Sequence, residues 1–212
     1  MSTPDTNNRV ERKTANMPVS AVLLMDLQRD FLDVAGGRLP VDAPGAVAAL
    51  QVANEVLSKS ILAGALPILV VNQFPVTARI GNFFRKGSAI AGSAGAEFDV
   101  RLRRNGSERV IVKASPSAFS NPELDRYLRA NGVQEMHVLG VFAEGCVRAT
   151  VIDAVKRGYT VHVIANAVAT NAAWKKRVAL WAMKRAGAKI LLSIVAATSS
   201  NSKDVPHAGL RR

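Results

Sequence analysis

The 212-residue sequence predicts a doubly wound α/β fold, and three observations predict it. Short apolar runs without alternation, such as Val22, Leu23, Leu24 and Met25, ask for strands covered on both faces. Between such runs lie stretches whose apolar residues recur at helical spacing. The two kinds of segment follow one another in the order βαββαβαβαβ, which a parallel sheet with crossover helices satisfies.

Residues 1–18 are polar and read as a mobile arm, residues 19–195 as the folded domain, and residues 196–212 as a tail. The first strand spans 19–27. A helix over 44–65 follows, with Val47, Leu50, Val52, Val56, Leu57 and Ile61 near helical spacing and Gly64 closing it. Residues 66–71 form the second strand. From Asn72 to Glu108 periodicity is lost and Gly, Ser and Ala abound; so long an irregular segment is functional or mobile. Residues 110–113 make the third strand. Asn121 caps a helix that has Pro122 at its first position and ends near Ala130. The fourth strand carries Val138, Leu139, Val141 and Phe142 and breaks at Ala143, Glu144 and Gly145. A helix opens with Cys146 and closes at Gly158, ahead of a fifth strand at 159–164. A last helix over 172–186 and a last strand over 189–195 complete the domain.

With 49% hydrophobic content, the chain is long enough for one domain with a substantial core. Its single cysteine excludes an internal disulfide framework and suits a reducing compartment. No stretch resembles a membrane span, and the first residues lack the apolar core of a secretory signal, so a cytoplasmic protein with no membrane partner is expected. The net charge of +12 invites a nucleic-acid reading. Its basic residues are scattered, however, and aromatics are only 5% of the chain. The charge reads as a solvated surface with some attraction for anions, and nucleic acid is not expected as a partner.

In a doubly wound sheet the ligand site lies outside the carboxyl ends of the strands, where strand order reverses. Asp26 ends the first strand, Lys113 ends the third, and Cys146 follows the fourth. Each has a plain alternative: a turn aspartate, a solvated lysine, an inert buried thiol. Their shared placement at one sheet edge points to chemistry instead. Asp26 would take the thiol proton, while Lys113 and the helix N-terminus stabilise the thiolate. The sulfur would attack a carbonyl, with backbone N–H groups of Phe142 and Cys146 holding the oxyanion. Competing cysteine chemistries fit poorly. There is no C-x-x-C pair, His137 and His162 lie inside strand patterns, and Ile152 stands where a phosphatase loop needs arginine.

The motifs VLLMDLQRDF, VIVKASPSAF and GVFAEGCVRATVIDAVKRGYTV, in that order, resemble the isochorismatase-like cysteine hydrolases over roughly residues 19–195. The resemblance implies a three-layer α/β/α sandwich around a six-stranded parallel sheet and a triad of Asp26, Lys113 and Cys146. It also implies a non-prolyl cis peptide at Val141–Phe142, with the Phe142 N–H in the oxyanion hole, and homo-oligomeric assembly. Members with the cysteine are mostly amidohydrolases of small amides, ureido or carbamoyl compounds. Nicotinamidases of the family hold a metal with an Asp-x-His motif after strand two. Here Asn72, Gln73 and Phe74 stand in that place, so no metal and no other cofactor is expected. Asn166 replaces a frequent aspartate after strand five, and Glu144 and Gly145 replace the commoner Thr-Asp or Thr-Asn before the cysteine.

Candidate substrate-binding residues are Phe31, Gln73, Phe74, Phe83, Phe84, Arg85 and Phe119. For the phenylalanines the alternative is core packing. Arg85 would pair with a carboxylate on an anionic small-molecule substrate, against the plainer reading of a surface arginine. Trp174 and Trp181, two helical turns apart, read as core or subunit contact. The expected function is metal-independent hydrolysis of a small C–N substrate through a thioester. Vinyl-ether or ester hydrolysis on the same fold, and a non-catalytic binding protein with a vestigial site, are the alternatives.

Overall fold

The computed structural model describes residues 19–193 apart from 59–61 and 63. The expected arm, the tail and the end of the expected last strand, at 194–195, lie outside the described residues. The strands are β1 (Val19–Met25), β2 (Leu66–Asn72), β3 (Arg109–Lys113), β4 (Val133–Val141), β5 (Thr160–Ala169) and β6 (Lys189–Leu191). They form one parallel sheet of six strands in the order β3-β2-β1-β4-β5-β6. The α-helices among the described residues are α1 (Arg29–Leu32), α2 (Ala43–Leu57), α3 (Arg79–Phe84), α4 (Pro122–Ala130), α5 (Arg148–Lys156) and α6 (Ala173–Arg185).

Both faces of the sheet are covered, which is why the strands read as unbroken apolar runs. Leu23, Met25, Val70, Ile111 and Val138 pack with Leu124 and Leu128 of α4, Val151 and Ala154 of α5, and Ala179 and Met183 of α6. Val22, Leu24, Leu69, Leu139 and Ile164 face the other way, onto Ala49, Leu50, Ala53 and Leu57 of α2. The result is the three-layer α/β/α sandwich. Asp42 caps α2 by accepting the Gly45 N–H at 2.6 Å, and Asn121 caps α4 by accepting the Glu123 N–H at 2.9 Å.

From β1 the chain moves outward through β2 and β3, then returns to the opposite edge of β1 with β4. The crevice between the ends of β1 and β4 is therefore the topological switch point. Gly140 makes that junction possible. It pairs with Met25 at a φ of +116°, and a Cβ there would run into the Met25 backbone.

Several boundaries depart from the sequence reading. The helix expected to reach residue 65 ends at Leu57, where the Ser58 hydroxyl donates to the Glu55 carbonyl at 2.9 Å. The segment from Asn72 to Glu108 is less irregular than its composition, since it contains α3 and a 3₁₀ turn at Ala94–Ala96. The fifth strand runs on to Ala169, so Asn166 lies within it rather than after it.

Candidate active site

Asp26 follows β1 in the left-handed region, at a φ of +55°, a conformation that aspartate tolerates better than most residues. Its N–H donates to the Val70 carbonyl at 2.8 Å, and its side chain is buried. Lys113 ends β3 in register with Asn72 at the end of β2. Lys113 Nζ lies 3.1 Å from Asp26 Oδ2, 2.7 Å from Asn72 Oδ1 and 3.2 Å from Cys146 Sγ. The three N–H bonds of the ammonium thus each find an acceptor, which a buried lysine requires. Asn72 Nδ2 also approaches the sulfur, at 3.6 Å. The three chemistry-bearing residues read from the sequence are brought together, with Asn72 as a fourth member.

The sulfur is carried on a tight π-type turn, Ala143–Val147, and α5 starts only at Arg148. Cys146 therefore precedes the helix instead of opening it. Gly145 adopts φ −103° and ψ −107°, outside helical space, and interrupts the spiral there. The Phe142 carbonyl accepts the N–H groups of Gly145 at 3.0 Å and Val147 at 3.2 Å, closing the turn. The Val141–Phe142 peptide is cis, as the resemblance implies. Glu144 Oε1 accepts the Thr170 hydroxyl at 2.9 Å and lies 3.7 Å from Lys175 Nζ.

Burial raises the Asp26 carboxyl pKa despite the opposing charge of Lys113. Burial, followed by the charge of Asp26, pushes the Cys146 thiol up to about 12, against the pull of Lys113 and Asn72. Cys146 as a residue retains some solvent contact, yet protein atoms crowd its sulfur. Desolvation thus outweighs the pull of the single ammonium beside the thiol.

Residues 20–194 match the isochorismatase domain model. The chain is 33% identical over 152 residues to an uncharacterized isochorismatase family protein, YddQ, of Bacillus subtilis, covering 72% of this chain and 78% of that one. The chain belongs to the isochorismatase family. A maleamate amidohydrolase of Pseudomonas putida is 29% identical over 154 residues, covering 70% of this chain and 71% of the relative. Among solved structures, the pyrazinamidase of Pyrococcus horikoshii in complex with zinc superposes with a TM-score of 0.73 at 33% identity, over 82% of this chain and 99% of that one. Amide hydrolysis on this fold is thus represented among the relatives of this isochorismatase-family chain.

The zinc in that relative raises the question of a metal here. No cluster of three His, Cys, Asp or Glu suited to a metal occurs among the described residues. At the end of β2 stands Asn72, committed to Lys113, followed by exposed Gln73 and then Phe74, with the Arg85 guanidinium 3.6 Å over its ring. That donor set, with a fixed cation beside it, does not suit a divalent metal.

The candidate pocket residues of this family member are placed unevenly. Phe31 is buried and packs edge-on against Phe142, with ring centroids 5.6 Å apart, so it abuts the nucleophile turn. Phe74 is buried beneath Arg85. Gln73 donates its N–H to the Lys113 carbonyl at 2.8 Å. Phe119 is buried and stacked on Tyr159 within the core. Phe83 and Phe84 are about four-fifths exposed (80% and 78%) and pack edge-to-face on each other.

Sequence reasoning missed the supports of the site. Gln28 clamps Asn72 from both sides, accepting its N–H at 2.8 Å and donating to its carbonyl at 2.8 Å, and also reaches the Ala96 carbonyl at 2.6 Å. Asp30 accepts the Ala89 N–H at 2.8 Å and the Arg38 N–H at 3.2 Å, and Gly95 leaves room for its carboxylate. These two residues pin the irregular segment to the end of β1. The signal was present as polar residues in VLLMDLQRDF at positions that a buried loop would fill with hydrogen-bonding groups.

Proposed function

We propose that this chain is a metal-independent cysteine amidohydrolase that cleaves a C–N bond of a small amide, ureido or carbamoyl substrate through a thioester. Asp26, Lys113 and Cys146 carry the chemistry. As the sulfur attacks the carbonyl carbon, Asp26 takes the thiol proton, and Lys113 with Asn72 offsets the charge leaving the sulfur. The N–H groups of Phe142 and Cys146, in the turn that bears the sulfur, hold the carbonyl oxygen as it becomes an oxyanion. Asp26 then gives its proton to the departing nitrogen, and the C–N bond breaks. Water, deprotonated by Asp26, attacks the thioester, releasing the acid and restoring the thiol.

The observation that carries this reading is a single atom, Lys113 Nζ, within hydrogen-bonding distance of both Asp26 and Cys146. The raised thiol pKa is consistent with it, because a base in contact with a neutral thiol generates the nucleophile only as the carbonyl arrives. Phe31 and Phe74 are the apolar walls in this reading. A panel of ureido acids, carbamoyl amino acids, maleamate, nicotinamide and isochorismate tests it. Turnover of amide or ureido members, abolished by Cys146→Ala, is expected. Turnover confined to isochorismate would contradict it.

No helix among the described residues is long and apolar enough to cross a membrane. A reducing, cytoplasmic setting suits a free thiol nucleophile. Trp174, Val178 and Trp181 lie along one exposed stripe of α6, at 64%, 52% and 61% exposure, which excludes the core reading of the tryptophan pair. We assign that stripe to contact between subunits of a homo-oligomer.

A further inference from the structure

We infer that Thr150 is a positioning residue for the candidate active site: its hydroxyl fastens the helix behind Cys146 to the loop behind Lys113, and so sets the spacing of ammonium and sulfur. This deepens the cysteine amidohydrolase reading and rests on it for the roles of Lys113 and Cys146.

The sheet does not set that spacing directly. Lys113 ends β3 and Cys146 follows β4, and β2 and β1 lie between those two strands. Three strand spacings put the strand ends roughly 14 Å apart. Lys113 Nζ nevertheless comes within 3.2 Å of the sulfur. The chain beyond each strand end closes the difference, and something has to hold it closed.

On the lysine side, a loop runs from Lys113 to Asn121, whose Nδ2 donates to the Val112 carbonyl at 2.9 Å. The loop is thereby fastened to the residue before Lys113. It contains a 3₁₀ turn, Ala118–Ser120, and the N–H that opens such a turn has no partner within it. Ala118 is fully buried, so its N–H needs an acceptor from elsewhere. Thr150 Oγ1 supplies it at 2.9 Å. The next residue, Phe119, adds to the junction by stacking on Tyr159.

On the cysteine side, Thr150 lies four residues beyond the nucleophile, in the first turn of α5. It is fully buried beside Val151, which is buried too. Valine would fill the same volume, and threonine is no better a helix former. A buried hydroxyl is costly unless it is bonded, so the bond to Ala118 is what accounts for threonine here. That bond joins the extension of β3 to the extension of β4. A displacement of about 1 Å at this junction is enough to carry Nζ out of hydrogen-bonding reach of Sγ, and errors of that size cost about a hundredfold in rate.

The test compares Thr150→Val, which keeps the shape and removes the hydroxyl, with Thr150→Ser, which keeps the hydroxyl. The first readout needs no substrate: the rate at which iodoacetamide alkylates Cys146, followed by intact mass at mildly alkaline pH. Withdrawing the ammonium disfavours the thiolate, so Thr150→Val should react about tenfold more slowly and Thr150→Ser close to the wild type. The second readout is hydrolysis of a compound that the wild type turns over. There kcat should fall roughly ten- to a hundredfold in Thr150→Val with KM little changed, and Thr150→Ser should restore it. A merely structural threonine would lower the melting temperature and leave both readouts of the folded variant at wild-type values. That result, an unchanged alkylation rate or kcat in Thr150→Val, or a Thr150→Ser protein as impaired as Thr150→Val, would overturn the assignment. Should Thr150→Val fail to fold, Thr150→Ser and Thr150→Ala, which also differ only in the hydroxyl, make the same comparison. If alkylation behaves as expected but the wild type hydrolyses no amide or ureido compound, the amidohydrolase reading fails and the positioning role stands.

Discussion

Lys113 Nζ sits 3.2 Å from Cys146 Sγ, yet the thiol is held far above its ordinary pKa, at about 12. The ammonium is shared with Asp26 and Asn72, and the carboxylate beside the sulfur works against ionisation. A site of this kind stores its proton on sulfur and its base next to it.

The pH–rate profile follows from that arrangement. Asp26 must be ionised to take the proton, and burial raises its pKa above the usual 3.8. Turnover of a neutral amide, measured as kcat/KM, should therefore fall as pH drops through a value above the usual carboxylate range. On the alkaline side no gain is expected near the ordinary thiol value of about 8.5, because the thiol does not ionise there. A rise in kcat/KM centred near that value would show a thiolate mechanism instead.

Lys113→Met should destabilise the protein as well as inactivate it. Asp26 is 1% exposed, and removing its partner leaves a buried carboxylate uncompensated, at a cost of about 3–5 kcal/mol. Adding Asp26→Asn to the same chain should recover most of the loss in urea unfolding while turnover stays absent. If both single variants unfold like the wild type, the pair is not coupled.

Asn72→Ala should lower kcat by about tenfold or more, the worth of one hydrogen bond to a charged group. Its carboxamide is both an acceptor for Lys113 and the second donor near the sulfur. Because Gln28 fixes the Asn72 backbone independently of the side chain, the fold should be retained, as thermal melting would show.

Gly140→Ala should cost several kcal/mol, about 3 or more, since a Cβ at a positive φ would collide with the Met25 backbone next to Asp26. Denaturant titration of the purified variant checks this. A stability within experimental error of wild type would mean the β1–β4 junction is looser than the structure has it.

Acid should weaken the fold through a buried histidine pair far from the nucleophile turn. His137 and His162 face each other across β4 and β5 with ring centroids 4.9 Å apart. Burial and then His162 hold the His137 pKa down to about 4, below the 6.5 of a free histidine. His162 is shifted the same way, by burial and then Lys189, with Glu135 opposing. The unfolded chain thus takes protons first as pH falls. The contribution of His137 is complete above about 6.5 and is lost progressively down to about 4, a difference of about 3 kcal/mol. Urea unfolding at a series of pH values, with His137→Leu flattening the slope, measures it.

Much of this arrangement was legible in the chain. Unbroken apolar runs announced a sheet covered on both faces, and Asp26, Lys113 and Cys146 stood out because each ionisable group closed or followed such a run. Asn72 was visible only as the loss of a metal motif, since its partnership with Lys113 depends on the β2–β3 register. Gln28 and Asp30 act over 44 and 59 residues of separation, on backbone atoms that carry no sequence signal. The raised thiol pKa carries no sequence signal, because a motif reports which charges are near but not how much water is gone. Phe83 and Phe84 were indistinguishable in composition from Phe31 and Phe74, though one pair is exposed and the other buried.

The central claim is that Cys146, deprotonated by Asp26, becomes acylated during amide hydrolysis. The most direct measurement is the intact mass of the protein quenched in acid during turnover, followed by mapping of any adduct. The account predicts an acyl group on Cys146, released by hydroxylamine, that accumulates in the wild type and never forms in Cys146→Ala or Asp26→Asn. Hydrolysis that continues in Cys146→Ala, or an adduct on any other side chain, would contradict it.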